Sequence, residues 1–381
     1  MPFVKQKILK FLSYVLVAVA ASFLTLYLSA PEYSKLEQLE DLILTRFIGE
    51  AEAEELEDAA ADAMVSATKD RWSYYIPAGE MESYMEQMEN AYVGVGITIQ
   101  QEEETGYRIM EVTKGGPAEE AGLKPGDLLV KAGDTDLREL DVNEVRSLVK
   151  GAEGTFVSLT VLRQEEELTF SVERRTVMTI VAEGEMLSGD VGLVTIENFD
   201  SRCAEETIAA IEDLIAQGAE KLIFDVRNNP GGYAEELIQV LDYLLPEGEV
   251  FHTLDYTGKE HIDYSDEKHL DLPMAVLVNS ESYSAAEFFA AALKEYEAAV
   301  IVGEQTCGKG YFQTTIHLND GSAVALSIGK YFTPKGENLQ DVGLIPDKVV
   351  DVDDATFWEI YYGNLPKEAD PQVQAALELL K

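Results

Sequence analysis

The stretch from Met274 to Gln313 limits the possible folds more than any other part of the chain. It opens on an apolar run, Met274 to Val278, of the right length for a buried strand, and a polar turn, Asn279 to Tyr283, follows. Ser284 then stands before an Ala-rich apolar segment, Ala285 to Leu293, that suits a buried helix. A second β-like run, Ala298 to Val302, leads into a lysine set between glycines, Cys307-Gly308-Lys309-Gly310. Strand, turn, helix and strand in this order belong to an α/β sheet, whose sites collect at strand C-terminal ends. A serine at a strand-to-helix turn sits where the helix N-terminus favours developing negative charge. A glycine-flanked lysine just past the next strand can be brought close to it.

The same grammar recurs upstream. Val191 to Phe199 reads as a strand, and Cys203 to Gln217 as a helix with Ile208, Ile211, Leu214 and Ile215 on one face. Leu222 to Val226 is a buried strand that runs into Arg227-Asn228-Asn229-Pro230-Gly231-Gly232. Two glycines after a strand let backbone N–H groups approach a ligand, although such turns also arise for steric reasons alone. Ala234 to Leu245 is the next helix, and Asp370 to Leu380 is a short helical tail.

Composition removes whole classes of function. The formal net charge is −42, with 71 acidic and 29 basic residues spread along the 381-residue chain. Nucleic-acid binding needs clustered Lys and Arg, so it is not expected. The four histidines and two cysteines show no ligand spacing, so neither a metal nor a cofactor is expected, and Cys203 and Cys307 read as small unpaired residues. A triad built on histidine lacks a recognisable motif.

The N-terminus carries Lys5, Lys7 and Lys10 before an uncharged stretch, Phe11 to Ala30, just long enough to span a bilayer. Lysines ahead of it place the rest of the chain outside the cytoplasm. A cleaved signal peptide is the competing reading, and the protein would then be secreted. The length and the poor cleavage site at Leu28-Ser29-Ala30 favour an uncleaved, single-pass anchor. Helical spacing follows through Leu36, Leu39, Leu42, Ile43 and Phe47, then through Leu56, Ala60, Met64 and Val65. These helices could pack on the main domain or pair with a second subunit, giving a homodimer. Met81 to Met88 is a further short helix.

Residues 92–176 form a separate β-rich module with Tyr92-Val93-Gly94-Val95-Gly96-Ile97 at its start. Gly115-Gly116-Pro117-Ala118 introduces a helix that ends at Ala121-Gly122-Leu123-Lys124-Pro125-Gly126-Asp127, and Asn143 to Lys150 reads as a second helix. Leu128 to Ala132 and Val157 to Leu162 are strand-like. The order resembles a PDZ domain of the bacterial protease type. Such a module implies a carboxylate loop over Val93, Gly94, Val95, Gly96 and Ile97, with the peptide adding a strand at the edge.

Nearly everything after residue 55 resembles the C-terminal processing, tail-specific Ser/Lys peptidases of family S41. Ser284-Ala285-Ala286-Glu287 is similar to that family's nucleophile motif, and Gly303 to Gly310 to its lysine motif. Asp225 to Gly232, Tyr331 to Gly336 and Gly343 to Asp347 are similar to its other signatures. Ala286, Cys307, Trp72 and Gln305 depart from the usual residues, and none removes a group the chemistry needs. The resemblance implies Ser284 as nucleophile, Lys309 as general base and Gln313 as the residue that orients the lysine. It implies oxyanion donors at the backbone N–H of Gly232 and Ala285. A free lysine titrates at ~10.4, so the resemblance implies that burial brings Lys309 to ~7–8. Ala298, Val300, Val302 and Phe312 are the apolar residues expected around it.

The expected architecture is multidomain, α+β and α/β. It comprises a basic tip and anchor (1–31), a helical region (32–91), a PDZ domain (92–176), a ClpP/crotonase-like α/β protease core (177–350) and a helical tail (351–381). The expected function is a membrane-bound serine endopeptidase whose substrates are proteins or peptides with accessible C-termini. The module would bind their tails and could also gate the site. The alternative is an inactive peptide- or ligand-binding protein on the same fold, since fold alone does not decide chemistry. A PDZ scaffold on a structural α/β domain explains the lysine and Asn-Pro-Gly-Gly motifs poorly.

Overall fold

The structure is a computed structural model, and it describes residues 15–17, 34–102, 105–187 and 189–381. Apart from Val15 to Val17, the expected membrane anchor lies outside the described residues. Among the described residues no helix is long and apolar enough to cross a membrane. The chain divides into two compact units after Tyr75.

The first unit holds helices α1 (Lys35–Arg46) and α2 (Ala53–Ser66). Ser34 caps α1, taking the Glu37 N–H on its hydroxyl at 3.2 Å while Glu37 takes the Ser34 N–H in return. No residue of either helix is buried. Leu36, Leu39, Leu42 and Phe47 show 43–58% of their surface, so their helical spacing is not consumed within the unit.

The second unit begins with α3 (Met81–Met88) and a two-stranded ribbon. Its first strand, β1 (Ala91–Gly94), leads into the module, whose sheet runs β2 (Ile97–Glu102), β3 (Gly106–Val112), β4 (Leu128–Ala132), β5 (Phe156–Arg163) and β6 (Glu166–Glu173) in that spatial order. The return strand β7 (Arg175–Met178) pairs antiparallel with β1, tying entry and exit together. Helices α4 (Pro117–Ala121) and α5 (Val142–Val149) cover the sheet. Asp141 caps α5 in a reciprocal box with Glu144. Tyr107, Ile109, Leu129, Leu159 and Val172 are fully buried and give the module its own core.

The main sheet runs β8 (Ala182–Met186), β9 (Val191–Ile196), β10 (Lys221–Asp225), β13 (Met274–Val278) and β14 (Ala299–Gly303), with two further residues, Lys348–Val349, at its edge. The strands from β9 onward are parallel, in the register Val194–Phe224–Val276–Ile301. Helices α6 (Cys203–Gln217), α7 (Ala234–Leu244) and α8 (Ala285–Glu295) cover one face. The tail helix α10 (Pro371–Leu379), which follows the aromatic α9 (Asp354–Tyr361), covers the other. Burial on both faces explains why Met274 to Val278 is apolar without alternation. A second, antiparallel sheet joins β11 (Gly248–Asp255) with β12 (Glu260–Ser265), and β15 (Tyr311–His317) with β16 (Ala323–Phe332), through β11–β16 pairing.

Aromatic rings lock α8 between these sheets. Phe289 meets Phe224 edge-on at 5.5 Å and Phe199 at 5.6 Å. Phe288 meets Phe251 and Tyr331 on the opposite side, at 5.6 and 5.5 Å. Each buried ring contributes about 2–3 kcal/mol of transfer free energy, and truncating Phe289 to Ala should cost about 3–5 kcal/mol. The helix ends where Glu297 turns left-handed at φ 57° and the Ala298 N–H returns to the Leu293 carbonyl.

Candidate active site

Ser284 lies at the turn between β13 and α8, only 5% exposed, with φ 57° and ψ −125°. A serine in this region carries about 1–3 kcal/mol of backbone strain, which the surroundings must hold. They hold it on three sides. The Tyr283 N–H donates to the Asn229 carbonyl at 3.1 Å. The Ser282 hydroxyl donates to the Val226 carbonyl at 2.7 Å and accepts the Asn279 N–H at 3.1 Å, which makes it a tie between turns. The Ser284 N–H donates to Glu287 Oε2 at 3.0 Å.

The Asn-Pro-Gly-Gly turn closes against this serine. Asn229 donates to the Ile196 carbonyl at 2.7 Å and accepts the Gly231 N–H at 2.8 Å. Asn228 and Asn279 bond each other twice, at 2.9 and 2.8 Å. Asn228 and Asn229 therefore clamp their turn to its neighbours. Gly231 has φ 90°, and a Cβ there would lie 2.7 Å from Ser284 Cβ and 2.9 Å from Ala285 N. Gly232 has φ 152°, and a Cβ there would lie 2.2 Å from the Phe199 carbonyl carbon. Only glycine lets these backbones approach so closely. Among the described residues, neither the Gly232 N–H nor the Ala285 N–H has an acceptor.

Glu287 joins the serine to the lysine loop. Its fully buried carboxylate accepts the Ser284 N–H at 3.0 Å and the Lys309 N–H at 2.7 Å on the same oxygen. The other oxygen accepts the Gly308 N–H at 2.8 Å and the Thr306 hydroxyl at 2.5 Å. The two backbone nitrogens are thus no farther apart than the sum of their distances to one atom. Burial pushes the Glu287 carboxyl above the usual range, and these four donors oppose the rise. The Lys309 ammonium lies 5.8 Å from the centroid of the Tyr283 ring, next to Ser284 in sequence.

The expected apolar surround of Lys309 is corrected in part. Strand alternation turns Val300 and Val302 towards α10, where they pack with Val373 and Ala376. Ala298 packs on the opposite core face, and Phe312 stacks on Tyr331 at 5.1 Å. The aromatic face presented to the lysine is that of Tyr283, which the sequence shows only as the end of a polar turn. Gln313 lies on β15 and donates to the Ser327 hydroxyl at 2.8 Å and the Tyr311 carbonyl at 3.2 Å.

Two other buried groups frame the site. Arg227 bonds Asp225 at 2.5 Å, Asp370 at 2.8 Å and Gln372 at 2.8 Å. Burial pulls its guanidinium down, but Asp225 and Asp370 hold it above its ordinary value. It therefore ties the tail helix to the sheet. Asp200, beside Phe199, is 3% exposed, and its Oδ1 has no partner among the described residues. Burial first, and Glu236 second, push its carboxyl up to about 7. A Cβ on Gly232 would lie 2.5 Å from the Asp200 nitrogen, so this carboxyl adjoins the glycine turn. Nothing in the sequence marks it.

In the module, Gly94 pairs within β1, and the Val93 N–H donates to Glu86 at 3.3 Å. The N–H groups of Val95 and Gly96 have no acceptor among the described residues. Ile97 begins β2, the edge strand. The loop thus presents free amides at the head of an open edge.

Comparison with known proteins identifies both domains. The profile of peptidase family S41 matches residues 190–350, and that of a PDZ domain matches residues 108–163. The chain is 30% identical over 379 residues to the carboxy-terminal processing protease CtpA of Bacillus subtilis (strain 168), covering 95% of this chain and 80% of that protein. It is 31% identical over 323 residues to the "Probable CtpA-like serine protease" of Staphylococcus aureus (strain COL), covering 84% of this chain and 64% of that one. A solved structure from Bacteroides fragilis described as an S41 protease shares the fold, with a TM-score of 0.56 at 16% identity over 92% of this chain and 98% of its own. The photosystem II D1 C-terminal processing protease aligns with a TM-score of 0.48 at 25% identity, over 84% of this chain and 87% of its own. The chain belongs to peptidase family S41, among the PDZ-bearing carboxy-terminal processing proteases, and is a serine-type peptidase.

Proposed function

We propose that Ser284 is the nucleophile and Lys309 the general base of a tail-selecting endopeptidase. The observation that carries this reading is the Glu287 oxygen that holds the backbone N–H of both residues. Lys309 in its neutral form takes the Ser284 proton, and Ser284 Oγ attacks the peptide carbonyl. The N–H groups of Gly232 and Ala285 then stabilise the tetrahedral oxyanion; Gly232 follows the glycine that abuts Ser284, Ala285 follows the serine itself, and neither N–H has a competing acceptor among the described residues. The lysine returns the proton to the leaving amine, and water releases the acyl-enzyme. Gln313, on the strand just beyond the lysine loop, orients the lysine through its side-chain amide.

The module binds the substrate's C-terminal carboxylate on the Val95 and Gly96 amides, and the tail adds a strand at β2. The lysine-flanked stretch before Pro31 fits a membrane anchor that places the enzyme outside the cytoplasm. The substrates are then proteins of that compartment.

The test compares wild type with Ser284→Ala and Lys309→Ala on a peptide with an apolar, free C-terminus. Loss of turnover in both variants is expected. Equal turnover in all three proteins would end this assignment.

A further inference from the structure

We propose that Gln340 is a positioning residue for Lys309: its side-chain oxygen holds the peptide plane that follows the lysine and so sets the direction in which the side chain leaves the backbone. The proposal rests on the reading of Lys309 as general base, and it adds to that reading a residue from outside the lysine loop.

Two planar peptide groups meet at the Lys309 Cα, and only the rotations φ and ψ about that atom are soft. Holding both planes therefore fixes where the side chain starts. The plane before the lysine is held at both of its polar atoms. The Gly308 carbonyl accepts the Asp341 N–H at 3.0 Å, and the Lys309 N–H donates to Glu287 at 2.7 Å. The plane after the lysine is held by Gln340, whose Oε1 accepts the Gly310 N–H at 2.9 Å across 30 residues of chain. Glu287 thus acts on one side of the lysine Cα and Gln340 on the other.

The glycines make these holds necessary. Gly308, at φ 86°, and Gly310 leave the chain free to swivel on either side of the lysine. They also admit the holding loop. A Cβ on Gly310 would lie 2.6 Å from the Gln340 nitrogen and 2.7 Å from Asn338 Nδ2. That loop is firm by itself. Leu339 is buried in the main core, and the Asn338 amide donates to the Gly310 and Tyr331 carbonyls at 2.9 and 2.5 Å. Asn338 Oδ1 in turn accepts the Gln340 N–H at 3.1 Å. The loop therefore does not need the Gln340 side chain to stay in place.

The orientation of that side chain is also set. Its Nε2 donates to Asp341 Oδ1 at 3.1 Å, which turns Oε1 towards Gly310. Gly310 is buried, so bulk water does not replace a lost acceptor at its N–H. Without Gln340 the plane would turn to find another partner, and the lysine would turn with it.

The experiment uses the full chain carrying Gln340→Met, Gln340→Asn or Gln340→Glu, assayed on one cleavable peptide across a range of pH. The first removes the acceptor at similar size. The second keeps an amide that is one methylene too short, and it stands in where the first folds poorly. The third keeps the acceptor and loses only the donor to Asp341. Gln340→Met and Gln340→Asn should each lower kcat about 100-fold, with KM within about twofold of wild type, because the substrate is not touched. Gln340→Glu should keep kcat within about threefold of wild type at its own optimum, with the acid limb of its pH profile moved to higher pH by the charge added near the lysine. Wild-type kcat in Gln340→Asn, a loss confined to KM, or a Gln340→Glu enzyme as slow as Gln340→Asn at every pH overturns the role of Gln340. If Lys309→Ala turns the peptide over as fast as wild type, the general-base reading itself fails, and that result is read separately.

Discussion

Glu287→Gln isolates the link between the serine and the lysine loop. The carboxylate accepts four hydrogen bonds, two on each oxygen, and every partner is a donor. The Thr306 hydroxyl already accepts the Leu344 N–H at 2.7 Å, so turning it to accept from an amide as well would take its own proton off this oxygen. An amide keeps one accepting oxygen and turns an NH2 group towards two donors. Two bonds to a charged acceptor are lost, at about 1.5–3 kcal/mol each. Relief from burying a charge offsets part of this, because burial already pushes the Glu287 carboxyl up. The net expectation is a loss of about 2–5 kcal/mol in stability, read as a lower urea midpoint at unchanged m-value.

Activity should fall further than stability explains. Without the shared oxygen, the Ser284 and Lys309 backbones are no longer held to one point, and a displacement near 1 Å costs about 100-fold. Val240→Ala, on the buried face of α7, serves as the control. It should cost a similar stability, about 2–3 kcal/mol, with kcat/KM near wild type while the protein is folded. If Glu287→Gln keeps wild-type kcat/KM, or loses only as much as Val240→Ala, the carboxylate does not position the pair and the reasoning fails.

Gly231→Ala should leave the fold intact by circular dichroism yet lower kcat/KM by about 100-fold or more, since its methyl would press on Ser284 Cβ at 2.7 Å; wild-type activity would refute the packing argument. Asp200→Asn tests the buried carboxyl, which titrates at about 7 when folded against a reference value of 3.8. Between those values the folded chain keeps a proton that the unfolded chain has lost, so the wild type loses stability as pH rises from about 4 to 7 and Asp200→Asn does not. The gap between the two proteins should widen by roughly 2–3 kcal/mol from pH 5 to 8.5 in urea titrations, and a constant gap would refute it.

What the sequence made legible was what local chemistry encodes. Met274 to Val278 must be buried on both faces because it has no polar alternation, and Ser284 before an alanine-rich run must head a helix. Gly231 and Gly232 announced a close backbone approach, and the structure shows what is approached. The second sheet was not legible. Gly248 to Asp255 and Tyr311 to His317 mix charges, aromatics and β-branched residues without a clean period. They are strands because Phe251 and Phe312 both pack on Tyr331, a nonlocal fact. The same division runs through the site. The pairing of Arg227 with Asp225 lies within one turn of chain, but its second carboxylate, Asp370, is 143 residues away. Glu287 could be read as a cap for its own helix, since the Ser284 N–H is three residues off. Its hold on Gly308 and Lys309 depends on where β14 delivers the chain. A helix cap and a lysine clamp are one carboxylate here, and only the first role is written in local spacing. Sequence therefore finds the groups that do chemistry through their turns and glycines, and misses the buried acids that hold those groups in place, because burial is decided by the rest of the fold.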